Sequence, residues 1–182
     1  MQYNICVRSN VPMKFENPDK VFFVSDTHFF HKNIIKYCDR PFSDVDEMNQ
    51  FMIDRWNEAV GPDDIVIHVG DVFMGRYKSF QESGLIEGLN GRKILIEGNH
   101  DRSAKRMKLL GFDEVHKSVS LELPNGKVAL LKHIPQEDTE GCDYQFHGHT
   151  HSRLKIVDRH VNFTVEAWDY KPISLSDVMK IL

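Results

Sequence analysis

Five short motifs hold most of the side chains in this sequence that could do chemistry: Asp26-Thr27-His28, Gly70-Asp71, Gly98-Asn99-His100-Asp101, His133 and Gly148-His149-Thr150-His151. Apart from His100 and Asp101, they offer Asp26, Asp71, Asn99, His28, His133, His149 and His151. Carboxylate and amide oxygens with imidazole nitrogens, and no thiolate, suit divalent ions such as Mn, Fe, Zn, Co or Ni. They suit Cu(I) or an iron–sulfur cluster poorly. Seven donors exceed what one tetrahedral zinc takes and suffice for two metals that share a carboxylate. Each motif alone is a weak signal, since D-x-H and G-D arise by chance. The glycines of GNHD and GHTH add specificity, because they let the backbone approach a site closely.

Each motif follows a short apolar run. Val21-Phe22-Phe23-Val24-Ser25 precedes Asp26, Ile65-Val66-Ile67-His68-Val69 precedes Gly70, and Ile94-Leu95-Ile96-Glu97 precedes Gly98. Val128-Ala129-Leu130-Leu131-Lys132 precedes His133, and Tyr144-Gln145-Phe146-His147 precedes Gly148. Such runs read as strands covered on both faces. Ligand sites of open α/β sheets form at the carboxyl ends of the strands, so five strands are expected to deliver their polar residues to one rim.

Between the first two runs, Val45, Met48, Met52, Trp56 and Ala59 recur at helical spacing, with Asp44 and Glu47 in capping-box relation and Gly61-Pro62 closing the end. Further helices are predicted over Lys78–Leu89 and Ser103–Leu110, which makes the first half β-α-β-α-β-α with parallel strands. The second half predicts a hairpin from Ser118 to Lys132 through Pro124-Asn125-Gly126. Strands follow around 143–147, 154–157 and 161–165, and a short final helix is capped at Ser174. The expected class is α/β (α+β), two packed sheets with helices outside.

Composition narrows the function classes. The chain has 182 residues, 41% of them hydrophobic, and its 23 basic and 27 acidic side chains give a net charge of −4. That suits a single domain over residues 1–182, with a core burying roughly 70% of the unfolded surface. The acidic balance argues against a constitutive nucleic-acid binder but leaves nucleic acid open as a substrate. Cys6, Cys38 and Cys142 are spaced for neither a disulfide framework nor a CxxC knuckle. No apolar run approaches the roughly 20 residues of a membrane span, and Met1-Gln2-Tyr3-Asn4 opens with neither a basic nor an apolar region, so a cytoplasmic location and no membrane partner are expected.

In order and content, the five motifs resemble the calcineurin-like metallophosphoesterase superfamily, whose pattern is D-x-H, G-D, G-N-H-D/E, H, G-H-x-H. Ser25–Asn33, Val161-Asn162-Phe163 and Glu166-Ala167-Trp168-Asp169-Tyr170 with Pro172 look like its small single-domain bacterial and phage members. The resemblance implies a four-layer αββα sandwich of two mixed β-sheets flanked by helices, with a dinuclear metal centre, Mn being favoured. It implies Asp26, His28, Asp71 and His151 on one metal and Asp71, Asn99, His133 and His149 on the other, with Asp71 bridging. The implied reaction is hydrolysis of a phosphoric ester by a hydroxide shared between cations roughly 3.5–4 Å apart.

Other residues are weighed against that reading. His100 adjoins ligand Asn99 without being assigned to a metal, so it is expected to protonate the leaving group or stabilise its charge, with Asp101 orienting it. His31 and Asn33 follow the first motif and are candidates for substrate phosphate. Arg102, Lys105, Arg106 and Lys108 are candidates for a polyanionic substrate or simply a solvated helix face, and Arg76 and Arg153 are weaker ones. His68 and His147 read as structural; His116 and His160 are assigned nothing. Met107, Leu109 and Leu110 read as core, as do Phe29-Phe30 and Trp168 in preference to a subunit contact.

The expected partner is a phosphate-ester substrate, a nucleotide or nucleic acid among the candidates. With no cap domain the site should be open, which favours a phosphodiester over a monoester. A non-catalytic scaffold retaining the fold is the alternative, without support from any missing motif residue. Oligomeric state is open.

Overall fold

Among the described residues, ten strands form two sheets. In chain order they are β1 (Val21–Val24), β2 (Ile65–His68), β3 (Arg92–Ile96), β4 (Glu114–His116), β5 (Val119–Glu122), β6 (Val128–Leu131), β7 (Tyr144–His147), β8 (Ile156–Val157), β9 (His160–Asn162) and β10 (Ile173–Ser174). The computed structural model describes residues 11–182, so Cys6 and the Met1–Asn4 segment lie outside the described residues. The first sheet has the order β10-β1-β2-β3-β4 and the second β5-β6-β7-β9-β8. β1, β2, β3 and β4 run parallel with β10 antiparallel at the edge, and β6, β7 and β9 run parallel between antiparallel β5 and β8. The fold is therefore the expected α/β sandwich of two mixed sheets flanked by helices.

The unbroken apolar runs are explained by two cores. Val21, Phe23, Ile67, Ile94 and Ile96 face Leu121, Leu131, Phe146, Val161 and Phe163 across the sheet interface. Their neighbours Phe22, Val24, Val66 and Leu95 face the helical layer. That layer contains α1 (Ile34–Tyr37), α2 (Val45–Ala59), α3 (Tyr77–Glu82) and α4 (Ala104–Lys108), while Leu175 and Val178 of α5 (Leu175–Met179) join the inter-sheet core. On the far side of the second sheet, the loop after β6 lies against β7, with Gln136 N–H donating to Gln145 Oε1 at 3.0 Å. Among the described residues no helix is long and apolar enough to cross a membrane.

Helix α2 starts where its cap dictates. Asp44 Oδ1 accepts from the N–H groups of Asp46 and Glu47, each at 2.9 Å, and Glu47 reaches back to Ser43 N–H at 2.7 Å. Caps of this kind contribute about 1 kcal/mol. Met48, Met52 and Trp56 turn inward from it.

The predicted helix over Lys78–Leu89 stops at Glu82, because Ser83 Oγ bonds back to Phe80 O and Gly84 adopts φ 61°, leaving turns that still bury Ile86 and Leu89. The helix over Ser103–Leu110 shortens to α4. Leu109 is 58% exposed rather than core, since it lies two residues from buried Met107 and so points to the opposite side. The strand expected over 161–165 ends at Asn162, and Val165–Ala167 form a 3-10 helix. α1, β4 and β10 are too short to leave a periodic signal.

Candidate metal centre

Parallel pairing places the carboxyl ends of β1, β2, β3, β6 and β7 on one rim, and each motif follows directly. Past the strand ends the loops stay zipped together: Asp26 N–H donates to Gly70 O, His28 N–H to Asp71 O and Phe29 N–H to Val72 O, at 2.9 to 3.1 Å. The turns are tight enough that Asp26, His28, Asp71, His149 and His151 all adopt left-handed backbone, with φ of 57°, 47°, 58°, 69° and 46°. Such conformations cost about 1–3 kcal/mol each and concentrate at functional sites. Gly98 packs where a Cβ would overlap Asp71 N and Oδ1, and Gly148 where one would overlap Ser25 Oγ and Asp26 Oδ2. Only glycine lets these loops close on the two aspartates.

The motif side chains gather into two clusters. Asp26, His28 and His151 offer ligand atoms within 4.8 Å of one another, and so do Asp71, His133 and His149. The clusters meet at Asp71, whose Oδ2 lies 3.6 Å from His28 Nε2 and 3.3 Å from His133 Nε2. Asn99 Oδ1 is 3.1 Å from His133 Nε2, which puts it with the second cluster. All seven residues assigned by motif are thus brought together at one rim.

The arrangement fits cations on its own evidence. Asp26 Oδ1 and His28 Nε2 are buried without a hydrogen-bond partner, although burying unpaired polar atoms is costly. They lie 3.8 Å apart, and His151 Nε2 is 3.5 Å from the same oxygen. The other Asp26 oxygen is occupied, by Ser25 Oγ at 2.5 Å and His149 N–H at 2.9 Å.

Without an external charge these groups compete for protons. Burial pushes Asp26 up to about 6, against the pull of His133 and His151. Burial likewise drives His28 down to about 3 despite Asp71. For His133, burial is outweighed by the Asp71 and Asp26 carboxylates, which raise it to about 9, and the same contact holds Asp71 down to about 2 against its own burial.

His100 sits over this centre. Its N–H donates to Asp71 Oδ1 at 2.8 Å, its Nε2 lies 4.0 Å from Asp71 Oδ2, and its ring is 44% exposed. Asp101 does not orient it, contrary to expectation. Both Asp101 oxygens are taken by backbone, Oδ2 by Asp71 N–H and Gly98 N–H and Oδ1 by Val72 N–H, at 2.8 to 2.9 Å. Asp101 therefore fastens the Gly70-Asp71 turn to the Gly98-Asn99 turn and fixes Asp71 through its main chain.

Of the substrate candidates, His31 is at the site, with Nδ1 3.4 Å from His28 Nδ1 and its ring against Tyr37. Asn33 is exposed at the start of α1 and caps nothing with its side chain. Arg102 is exposed and donates to Gly75 O at 3.0 Å. Lys105 and Lys108 are exposed and Arg106 lies over the Tyr77 ring, as a solvated face would have it. Arg153 pairs with Asp39.

His68 is buried, with Nε2 3.0 Å from Thr27 Oγ1 and Nδ1 unpartnered. His147 bonds Gly148 O, His116 bonds Glu114 and His160 bonds Gln136 O. Phe29 and Trp168 are core, whereas Phe30 is 40% exposed against Phe80.

Residues 20–165 match the calcineurin-like phosphoesterase superfamily domain. The chain belongs to this superfamily. Among curated relatives of this phosphoesterase domain, an uncharacterised protein of Methanocaldococcus jannaschii is 36% identical over 172 residues, covering 90% of this chain and 91% of its own length. The Gene 66 protein of Mycobacterium phage L5 is 30% identical over 181 residues, covering 81% of this chain and 86% of its own. The crystal structure of a protein of unknown function from Aquifex aeolicus superposes with a TM-score of 0.72 at 29% identity, covering 89% of this chain and 98% of that one.

Proposed function

We propose that this superfamily member hydrolyses phosphoric esters, diesters in preference to monoesters, at a centre of two divalent metal ions. The observation that carries the reading is the pair of unpartnered buried atoms, Asp26 Oδ1 and His28 Nε2, facing a cluster joined to a second through Asp71. When bound, paired cations supply Lewis-acid charge and a nucleophilic water at neutral pH. Asp26, His28, Asp71 and His151 would hold one, and Asp71, Asn99, His133 and His149 the other. Mn, Fe, Zn, Co and Ni all suit this oxygen and nitrogen set, and Mn is the ion to try first.

The remaining chemistry belongs to the chain. Asp101 fixes the Asp71 main chain, so the shared carboxylate keeps its place as the substrate arrives. His100, half exposed beside Asp71, is placed to give a proton to the departing oxygen. His31, with its Nδ1 3.4 Å from His28 Nδ1, is the proposed donor to a phosphate oxygen.

The test compares wild type with Asp71→Asn, measuring bound metal and hydrolysis of bis-p-nitrophenyl phosphate and p-nitrophenyl phosphate, with Mn and with chelator. The expected result is about two metals per chain, metal-dependent turnover higher on the diester, and loss of both properties in the variant. A wild type without metal or turnover on either ester overturns the reading.

A further inference from the structure

Arg40 and Glu166 belong to none of the five motifs, yet both are deeply buried beside the first cluster. Arg40 is 4% exposed, and the Glu166 carboxylate is 1% exposed. Glu166 Oε1 accepts from Arg40 Nε at 2.9 Å, lies 2.8 Å from Arg40 Nη2, and is 3.0 Å from His151 Nδ1. The guanidinium also reaches backbone: Nη2 donates to Asp26 O at 2.7 Å and Nη1 to Thr27 O at 2.9 Å, with Met48 Sδ 3.4 Å from Nη1.

We infer that Arg40 and Glu166 form a positioning pair for the Asp26, His28 and His151 half of the centre alone. Three features lead there, and the inference rests on the dinuclear reading above. First, a carboxylate on Nδ1 keeps the proton there and turns Nε2, the other ring nitrogen, toward Asp26 Oδ1, 3.5 Å away. Second, Arg40 ties down the carbonyls of the turn whose residues Asp26 and His28 adopt left-handed backbone, so it holds a conformation that the turn would otherwise tend to leave. Third, neither side chain bonds Asn99, His133 or His149, whose ring or amide contacts go to Val69 O, to the Asp71 carboxylate and to one another. A lysine in place of Arg40 cannot span Glu166 and two carbonyls at once, because the task needs a planar fork of donors.

A pair that only stabilised the fold would affect both halves alike, so the readout is metal binding site by site. Chelator-treated wild type, Glu166→Ala, Glu166→Gln and Arg40→Lys are titrated with Co(II), following the visible absorption of each bound ion. Circular dichroism reports folding. Wild type should bind two ions, whereas Glu166→Ala and Arg40→Lys should keep one at wild-type affinity and bind the other about 10–100-fold more weakly. Glu166→Gln, which retains an acceptor for His151, should fall between and serves as the decisive variant if Glu166→Ala does not fold.

Equal weakening of both ions, or no weakening in any folded variant, overturns the positioning role while leaving the dinuclear reading intact. A wild type that binds fewer than two ions overturns both.

Discussion

At the residue scale, side-chain type and order picked out the candidate donors, and geometry then separated neighbours that look alike in sequence. His100 and Asp101 are adjacent, but the imidazole faces the centre while the carboxylate is spent on three backbone N–H groups. Nothing in the sequence marks that difference, because it depends on where two turns meet. Arg40 was unreadable for the same reason, its partner Glu166 being 126 residues away.

The role left to His100 predicts how its loss should scale with leaving group. His100→Asn should keep both metals and lower kcat about 10²–10⁴-fold for an alkyl phosphodiester, whose leaving oxygen needs a proton. The loss should be much smaller for bis-p-nitrophenyl phosphate, whose leaving group departs as a stable anion. Steady-state kinetics on the two esters decide it, and equal losses on both would remove His100 from leaving-group protonation.

At the element scale, strands were legible as apolar runs because both faces of β1, β2 and β3 are buried, and α2 because it is long and capped. What was illegible is a polar residue used as a strut. β2 ends in His68, whose ring lies between Trp56 and Phe112 and supports Thr27, the residue between Asp26 and His28. Thr27 Oγ1 donates to Val72 O at 2.8 Å, so it accepts from His68 Nε2–H, leaving Nδ1 unprotonated and without a partner. Burial lowers His68 from 6.5 to about 3, so the unfolded chain binds a proton that the fold excludes.

The stability this group contributes is complete above about pH 6.5 and is lost as pH falls from there toward 3, with a slope of at most about 1.4 kcal/mol per pH unit. Urea unfolding of chelator-treated protein at pH 7.5 and pH 5 should show His68→Gln losing less stability than wild type over that interval. Parallel losses would mean that the ring takes up its proton in the fold over the same pH range as in the unfolded chain.

At the scale of the whole molecule, the centre joins the two sheets. Asp26, His28, Asp71 and Asn99 hang from the first sheet and His133, His149 and His151 from the second, so each cluster draws on both. Away from the rim the sheets are held by interlocked side chains such as Phe23 against Phe146 and Phe163. At the rim, direct ties include His149 N–H to Asp26 Oδ2 and Val165 N–H to Ser25 O. A cation that binds the folded rim and not the unfolded chain stabilises by about 2.7 kcal/mol per site at 100 times its dissociation constant.

Added Mn should therefore raise the urea midpoint, chelator should reverse the rise, and Asp71→Asn should lose most of it, since the proposed centre gives that one carboxylate to both sites. Where the added protection falls is the sharper test. Amide exchange should slow over residues 70–72, 98–101 and 148–151, which contribute to the rim from both sheets, and stay unchanged in the middle of α2. Protection spread evenly over the chain would show that the metals stabilise the fold without joining the sheets at this rim.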